Sequence, residues 1–110
     1  MTRVALSNDQ WLTSGYGADP DAVVSLAAYV SREYPYGARI VRVSGHAGYG
    51  AIGECKSSDG SRWFVVCDRY GAVFASGDDA QTAVDRFVVA VDERATRLTS
   101  DAAVDVVRDV

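Results

Sequence analysis

The 110 residues are 48% hydrophobic and 24% charged, which suits one domain with a single core and excludes a core plus a second lobe. No window reaches the roughly 18 unbroken apolar residues of a membrane span, and the apolar stretch in MTRVALSNDQWL is too short for a signal peptide, so a cytoplasmic protein is expected. A net charge of -4 would repel a phosphate backbone and disfavours a general nucleic-acid coat, although the charge is uneven: -2 over residues 1–30, +2 over 31–77 and -4 over 78–110.

In chain order, SNDQWLTSG reads as one helical turn stopped by Gly15, with Trp11 and Leu12 as the anchors that dock an N-terminal segment, residues 1–18. ADPDAVVSLAAYVSREYP then opens a helix over about 20–33. Asp19 is its N-cap, Pro20 its first residue, and Val23, Leu26, Ala27, Val30 and Tyr34 its apolar stripe, which Pro35 ends. Beyond it the apolar period changes to two, and ARIVRVSGH, YGAIGECKS, SRWFVVCDR and AVFAS read as four short strands of an antiparallel meander.

A final helix over about 79–97 is capped by Asp78 with Gln81 at its third position. Ala80, Ala83, Val84, Phe87, Val88, Val91, Ala95 and Leu98 form its stripe, and Asp85, Asp92, Glu93, Arg94 and Arg97 fall largely on its solvated side. The tail, residues 99–110, suits helix or strand equally. The fold class is therefore α+β: helix, a three- to four-stranded antiparallel meander, long helix, all in one domain over 1–110.

Turn chemistry supplies an expected register. Asp59-Gly60 as a two-residue hairpin turn would set Cys55 opposite Phe64 and Ile52 opposite Cys67. A three-residue bulged loop at DRYGA would pair Asp68 with Ala72 and Val66 with Phe74. One face would then carry Cys55, Phe64, Val66 and Phe74, and the other Ile52, Trp63, Val65, Cys67, Val73 and Ala75.

GYGAIG at 48–53 fits the G-x-G-x-x-G spacing of a dinucleotide loop, but it runs into ECKSSDGSRWFVV, where the required helix cannot form. The glycines belong to a turn and a strand, with Gly53 marking a bulge or a close backbone contact. Cys55 and Cys67 fall about 10 Å apart on opposite faces in this register, too far for a disulfide, so free reduced thiols are expected. One His and two separated Cys make no metal site, and no cofactor is implied. His46 has no serine or cysteine within expected reach, and the carboxylate pairs Asp78-Asp79 and Asp92-Glu93 are adjacent on a helix rather than facing across a cleft. The expectation is not an enzyme.

A meander with one wet face alternates apolar with polar, whereas this one is apolar on both. The two helices would cover one face; the N-terminal segment, the C-terminal tail or a second molecule would cover the other, a homodimer being the simplest case. Trp63, Tyr49, Tyr70, Arg62, Arg69, Tyr36 and Arg39 are the candidate partner-binding residues, being aromatics and arginines on or around the sheet. Ten of the eleven basic residues are arginine, with Lys56 the exception, which points to a GC-rich source.

Residues 59–93, DGSRWFVVCDRYGAVFASGDDAQTAVDRFVVAVDE, resemble the toxin-binding half of HicB-type antitoxins, whose strands run an aspartate, a short glycine turn and a G-D-T-x-x-E-A helix start. Asp68, Gly71, Gly77, Asp78 and Ala83 stand in comparable places. The chain departs from that pattern by a helix before the strands and by the short stretch after the last helix, which is too small for the DNA-binding module of such antitoxins. Helix, three strands, helix is also similar in order to the double-stranded-RNA-binding domain. That family places lysines where this chain has Asp78, Asp79 and Gln81. The resulting expectation is a small acidic protein that binds and blocks a partner protein with a basic surface, in the manner of an antitoxin, an immunity protein or a phage-encoded inhibitor. The alternative is a nucleic-acid-binding module using Arg39, Arg42, Arg62, Arg69 and the sheet aromatics.

Overall fold

The structure, a computed structural model, describes residues 7–12, 17–34, 37–46 and 49–108, with the side chains of residues 46, 49 and 98–108 outside that description. Its elements are α1 (Asn8–Leu12), α2 (Pro20–Glu33), β1 (Arg39–His46), β2 (Tyr49–Lys56), β3 (Arg62–Cys67), β4 (Phe74–Gly77) and α3 (Ala80–Arg108). The strands form one antiparallel sheet in the order β1-β2-β3-β4, which is the α+β meander read from the period-two pattern. No described helix is long and apolar enough to cross a membrane.

Capping chemistry sets the helix starts. The Asp19 carboxylate accepts from the N–H groups of Asp21 (2.9 Å) and Ala22 (3.3 Å), and Pro20 follows at the first position of α2. The cap of α3 is Asp79 rather than Asp78, because the Asp79 carboxylate accepts from Thr82 N–H at 2.7 Å while its carbonyl accepts from Ala83 N–H. Gln81 accepts from the Trp11 indole (3.3 Å) and donates to Asp85 (2.9 Å). The Asn8 side chain accepts from Ala80 N–H at 2.8 Å, so α1 is tied to the start of α3. The C-terminal segment, open between helix and strand on sequence grounds, continues α3 as far as Arg108.

Both hairpin registers differ by one residue from those the turns suggest. A two-residue type I′ turn needs φ > 0 at both central residues. Here Gly60 (φ 90°) alone is left-handed, and Asp59 instead uses its carboxylate to accept from Ser61 N–H at 2.9 Å. Gly60 N–H bonds to Ser57 C=O, and Ser57 N–H to Ser61 C=O, which makes a three-residue loop and sets Cys55 opposite Trp63, Glu54 opposite Phe64 and Ile52 opposite Val66. At the next turn the Asp68 carboxylate accepts from both Ala72 and Val73 N–H, lengthening the loop to four residues, so Val66 faces Ala75 and Cys67 faces Phe74. A one-residue slip moves a strand's side chains to the other face. Relative to β3, the side chains of β2 and β4 are therefore exchanged between the faces expected from sequence.

One face carries Ile52, Phe64 and Val66, packed with Trp11 and Leu12 of α1 and Ala80, Ala83, Val84 and Phe87 of α3. The other carries Ala51, Cys55, Val65 and Cys67 beneath Ala22, Leu26 and Val30 of α2. The helices do not share one face as expected; α2 covers one side, and α1 with α3 covers the other. The face left open in the sequence reading does not exist, so the case for a homodimer built on it falls away. Burying each such Leu, Val, Ile or Phe contributes about 1.5–3 kcal/mol, so the interlayer contacts dominate stability. Ala27, placed on the buried stripe of α2, is exposed. Gly53 sits where a Cβ would lie 2.8 Å from Leu26 Cδ2, so this strand glycine is what lets α2 approach the sheet.

Candidate protein-binding surfaces

Two surfaces stand out, one at each end of β3. At the hairpin end, the C-cap of α2 turns the chain at Tyr34, whose N–H still bonds to Val30 C=O. This brings the Tyr34 ring to 4.9 Å from Trp63 at an interplanar angle of 47°. The pair ends a row of aromatic rings: Phe74 stacks on Tyr29 at 4.3 Å, and Tyr29 meets Tyr34 edge-on at 6.4 Å. Beside the Tyr34 and Trp63 rings opens a cleft of about 450 Å³ lined by these two residues together with Glu33, Ala38, Ser57, Ser58 and Asp59. Its charged lining residues are both acids.

Asp59 is held ionised. The Ser57 hydroxyl, then the Ser61 N–H, donate to its carboxylate and lower its pKa to about 2. Glu33 is exposed and paired with Arg32 at 3.2 Å. The Trp63 indole N–H is buried without an acceptor among the described residues, so its desolvation is not repaid by them. Two aromatic rings next to two carboxylates are the composition that receives an ammonium or guanidinium group, since ring faces and anions both attract a cation.

At the other end lies a groove of about 480 Å³ between the β3–β4 turn and α3. Its floor is Val73, Phe87, Val88, Val91 and Ala95, and its charged rim is Asp68, Arg69, Asp92 and Arg94 beside Tyr70. Tyr70 is 82% exposed and is the one large aromatic with that degree of exposure among the described residues.

The sequence-chosen residues thus separate. Trp63 lines the cleft, half-buried under the end of α2 rather than standing on an open face. Arg69 and Tyr70 lie together at the groove. Arg62 belongs to neither surface: it donates to Glu54 at 3.0 Å, alongside Arg42 at 2.6 Å, and Arg42 also reaches Asp9 of α1 at 3.2 Å. Glu54 is buried, and the hydrogen bonds to Glu54 and then Asp9 raise the Arg42 pKa. Arg39 is exposed on edge strand β1. Tyr36 and the side chains of Tyr49 and His46 fall outside the described residues.

In the sequence Tyr34 reads as the end of a helix stripe and Asp59 as a turn former, and no signal singles out Glu33. Their meeting depends on how α2 docks against the hairpin. Both cysteines lie on the α2 face, not on opposite faces, and are free and buried. Burial pushes each thiol up to about 12. Among the described residues no three His, Cys, Asp or Glu side chains group as metal ligands would. No family model matches the chain, and no curated protein or solved structure matches it.

Proposed function

We propose that this is a non-enzymatic interaction domain that binds, and by binding blocks, a partner protein carrying a basic surface. The observation behind this reading is the cleft of about 450 Å³ in which Trp63 and Tyr34 stand beside Glu33 and Asp59. An arginine or lysine of the partner enters the cleft, where its charge meets the carboxylates and its flat or methylene surface meets the rings. Trp and Tyr are the residues that most often anchor such contacts, and the net charge of -4 steers a basic partner toward the domain from a distance. Binding that blocks a partner is the role of an antitoxin, an immunity protein or a phage-encoded inhibitor. The nucleic-acid alternative has less behind it, because Arg42 and Arg62 of its basic patch are engaged with Glu54 and Asp9.

Affinity capture from a nuclease-treated lysate of the source tests the reading. Immobilised protein should retain a basic partner, and the double variant Glu33→Gln with Asp59→Asn should lose it. Equal retention by the variant refutes the cleft. If a parallel capture from lysate without nuclease retains RNA or DNA whose affinity falls steeply with salt, the nucleic-acid reading replaces this one.

A further inference from the structure

The groove at the far end of β3 has different chemistry and calls for a different occupant. In α3, Ala80, Ala83, Val84 and Phe87 are buried against the sheet, but from Val91 to Arg97 every residue is exposed while the helix backbone runs on to Arg108. The groove floor of Val73, Phe87, Val88, Val91 and Ala95 continues the core stripe out along this projecting half. Most helical stability in a protein comes from packing of an apolar face rather than from propensity, and Val91 to Arg97 leave theirs exposed. Such a segment gains most from a cover on its apolar side.

The rim says what the cover is. A two-fold interface brings a patch against its own copy, so each acid must find a base within the same patch. The rim holds two acids, Asp68 and Asp92, and two bases, Arg69 and Arg94. Arg69, Asp92 and Arg94 form no ion pair among the described residues. The patch is locally neutral on a molecule of net charge -4, whereas the charged residues of the cleft lining are both acids and would repel their own copies.

We propose that a second copy of this chain fills the groove, with the exposed part of its α3 lying antiparallel along Val73, Val88 and Val91, and with Tyr70 closing the edge. Each copy covers the projecting helix of the other. The dimer leaves both acidic clefts free, so it does not depend on the partner-binding reading above.

Sedimentation equilibrium at high micromolar concentration decides this, with circular dichroism as the control for folding. The unmodified chain should weigh twice 11.8 kDa. Val91→Glu, at a position already exposed, should give a folded monomer. Asp92→Arg should weaken association by about tenfold or more through like charges across the two-fold. Adding Arg94→Asp to it rebalances the rim and should restore the dimer. A monomer of 11.8 kDa in the unmodified protein, or a dimer indifferent to Val91→Glu, overturns the proposal. Val91→Glu should still capture the basic partner, so failure of one proposal is separable from failure of the other.

Discussion

Leu26→Ala and Gly53→Ala, made singly and together, probe the contact that seats α2 on the sheet. Leu26 is fully buried, and truncating such a leucine costs about 2–5 kcal/mol from lost burial and the cavity left behind. Gly53→Ala places a methyl carbon 2.8 Å from Leu26 Cδ2, nearly 1 Å inside the roughly 3.5–4.0 Å of a comfortable carbon contact. Overpacking of this kind costs about 1–3 kcal/mol, and the low end applies because a terminal methyl can yield. Removing a strand glycine returns about 0.5–1 kcal/mol of that. Gly53→Ala should therefore be mildly destabilising with Leu26 present. In the Leu26→Ala background it should be stabilising, because the clash is gone and the new methyl fills part of the cavity. The coupling should be about 1–3 kcal/mol, read from urea unfolding followed by far-ultraviolet circular dichroism at unchanged slope. Additivity within about 0.5 kcal/mol would show that α2 does not pack on Gly53 and would refute the two-sided sheet.

Gly50→Ala should be worse than Gly53→Ala, because its Cβ would lie 2.4–2.5 Å from backbone atoms of Asp68 and Arg69, which cannot move aside; a loss of about 2 kcal/mol or more in unfolding free energy is expected. Asp79→Ala should cost about 1 kcal/mol in the same assay and Asp78→Ala much less, since Asp79 caps α3; the reverse order would restore Asp78 as the cap. Both thiols should resist an aromatic disulfide reagent in the folded protein at pH 8 and react at once after unfolding, because both are buried and lifted to about 12; rapid labelling of either in the native state would contradict their burial. The same shifts set a pH dependence: with folded values raised from 9.0, stability from these groups is intact below about pH 9 and declines between about 9 and about 12 as the unfolded chain loses its thiol protons first, so a stability flat to pH 11 would argue against it.

The sequence made the elements legible because their signals are local. Asp19-Pro20 announces α2, the stripe from Ala80 through Val91 announces α3, and alternation with turn residues announces four strands. Register was less legible. Where one face of a sheet is polar, a slipped pairing puts charge into the core and is excluded. Here Ile52, Val65, Val66 and Phe74 are apolar on either face, so the pattern accepts both registers and turn geometry alone decides. Asp59 and Asp68 decided it through their carboxylates, each accepting backbone N–H groups across its loop, which a reading by turn-residue preference does not reveal. The fold class tolerated the error for the same reason. The candidate sites are only partly legible: Trp63, Arg69 and Tyr70 stand out by residue type, while the neighbours that give them meaning come from distant segments.

Binding of a cation at the acidic aromatic cleft is tested most directly by adding a short oligoarginine peptide to isotope-labelled protein and following amide and indole N–H resonances. Saturable shifts should centre on Trp63, Tyr34 and Asp59, the Trp63 indole N–H among them, and should vanish when Glu33→Gln and Asp59→Asn are combined. Shifts spread evenly over exposed acids such as Asp21, Asp92 and Glu93, or a response at Trp63 that survives the double substitution, would contradict the assignment of the cleft.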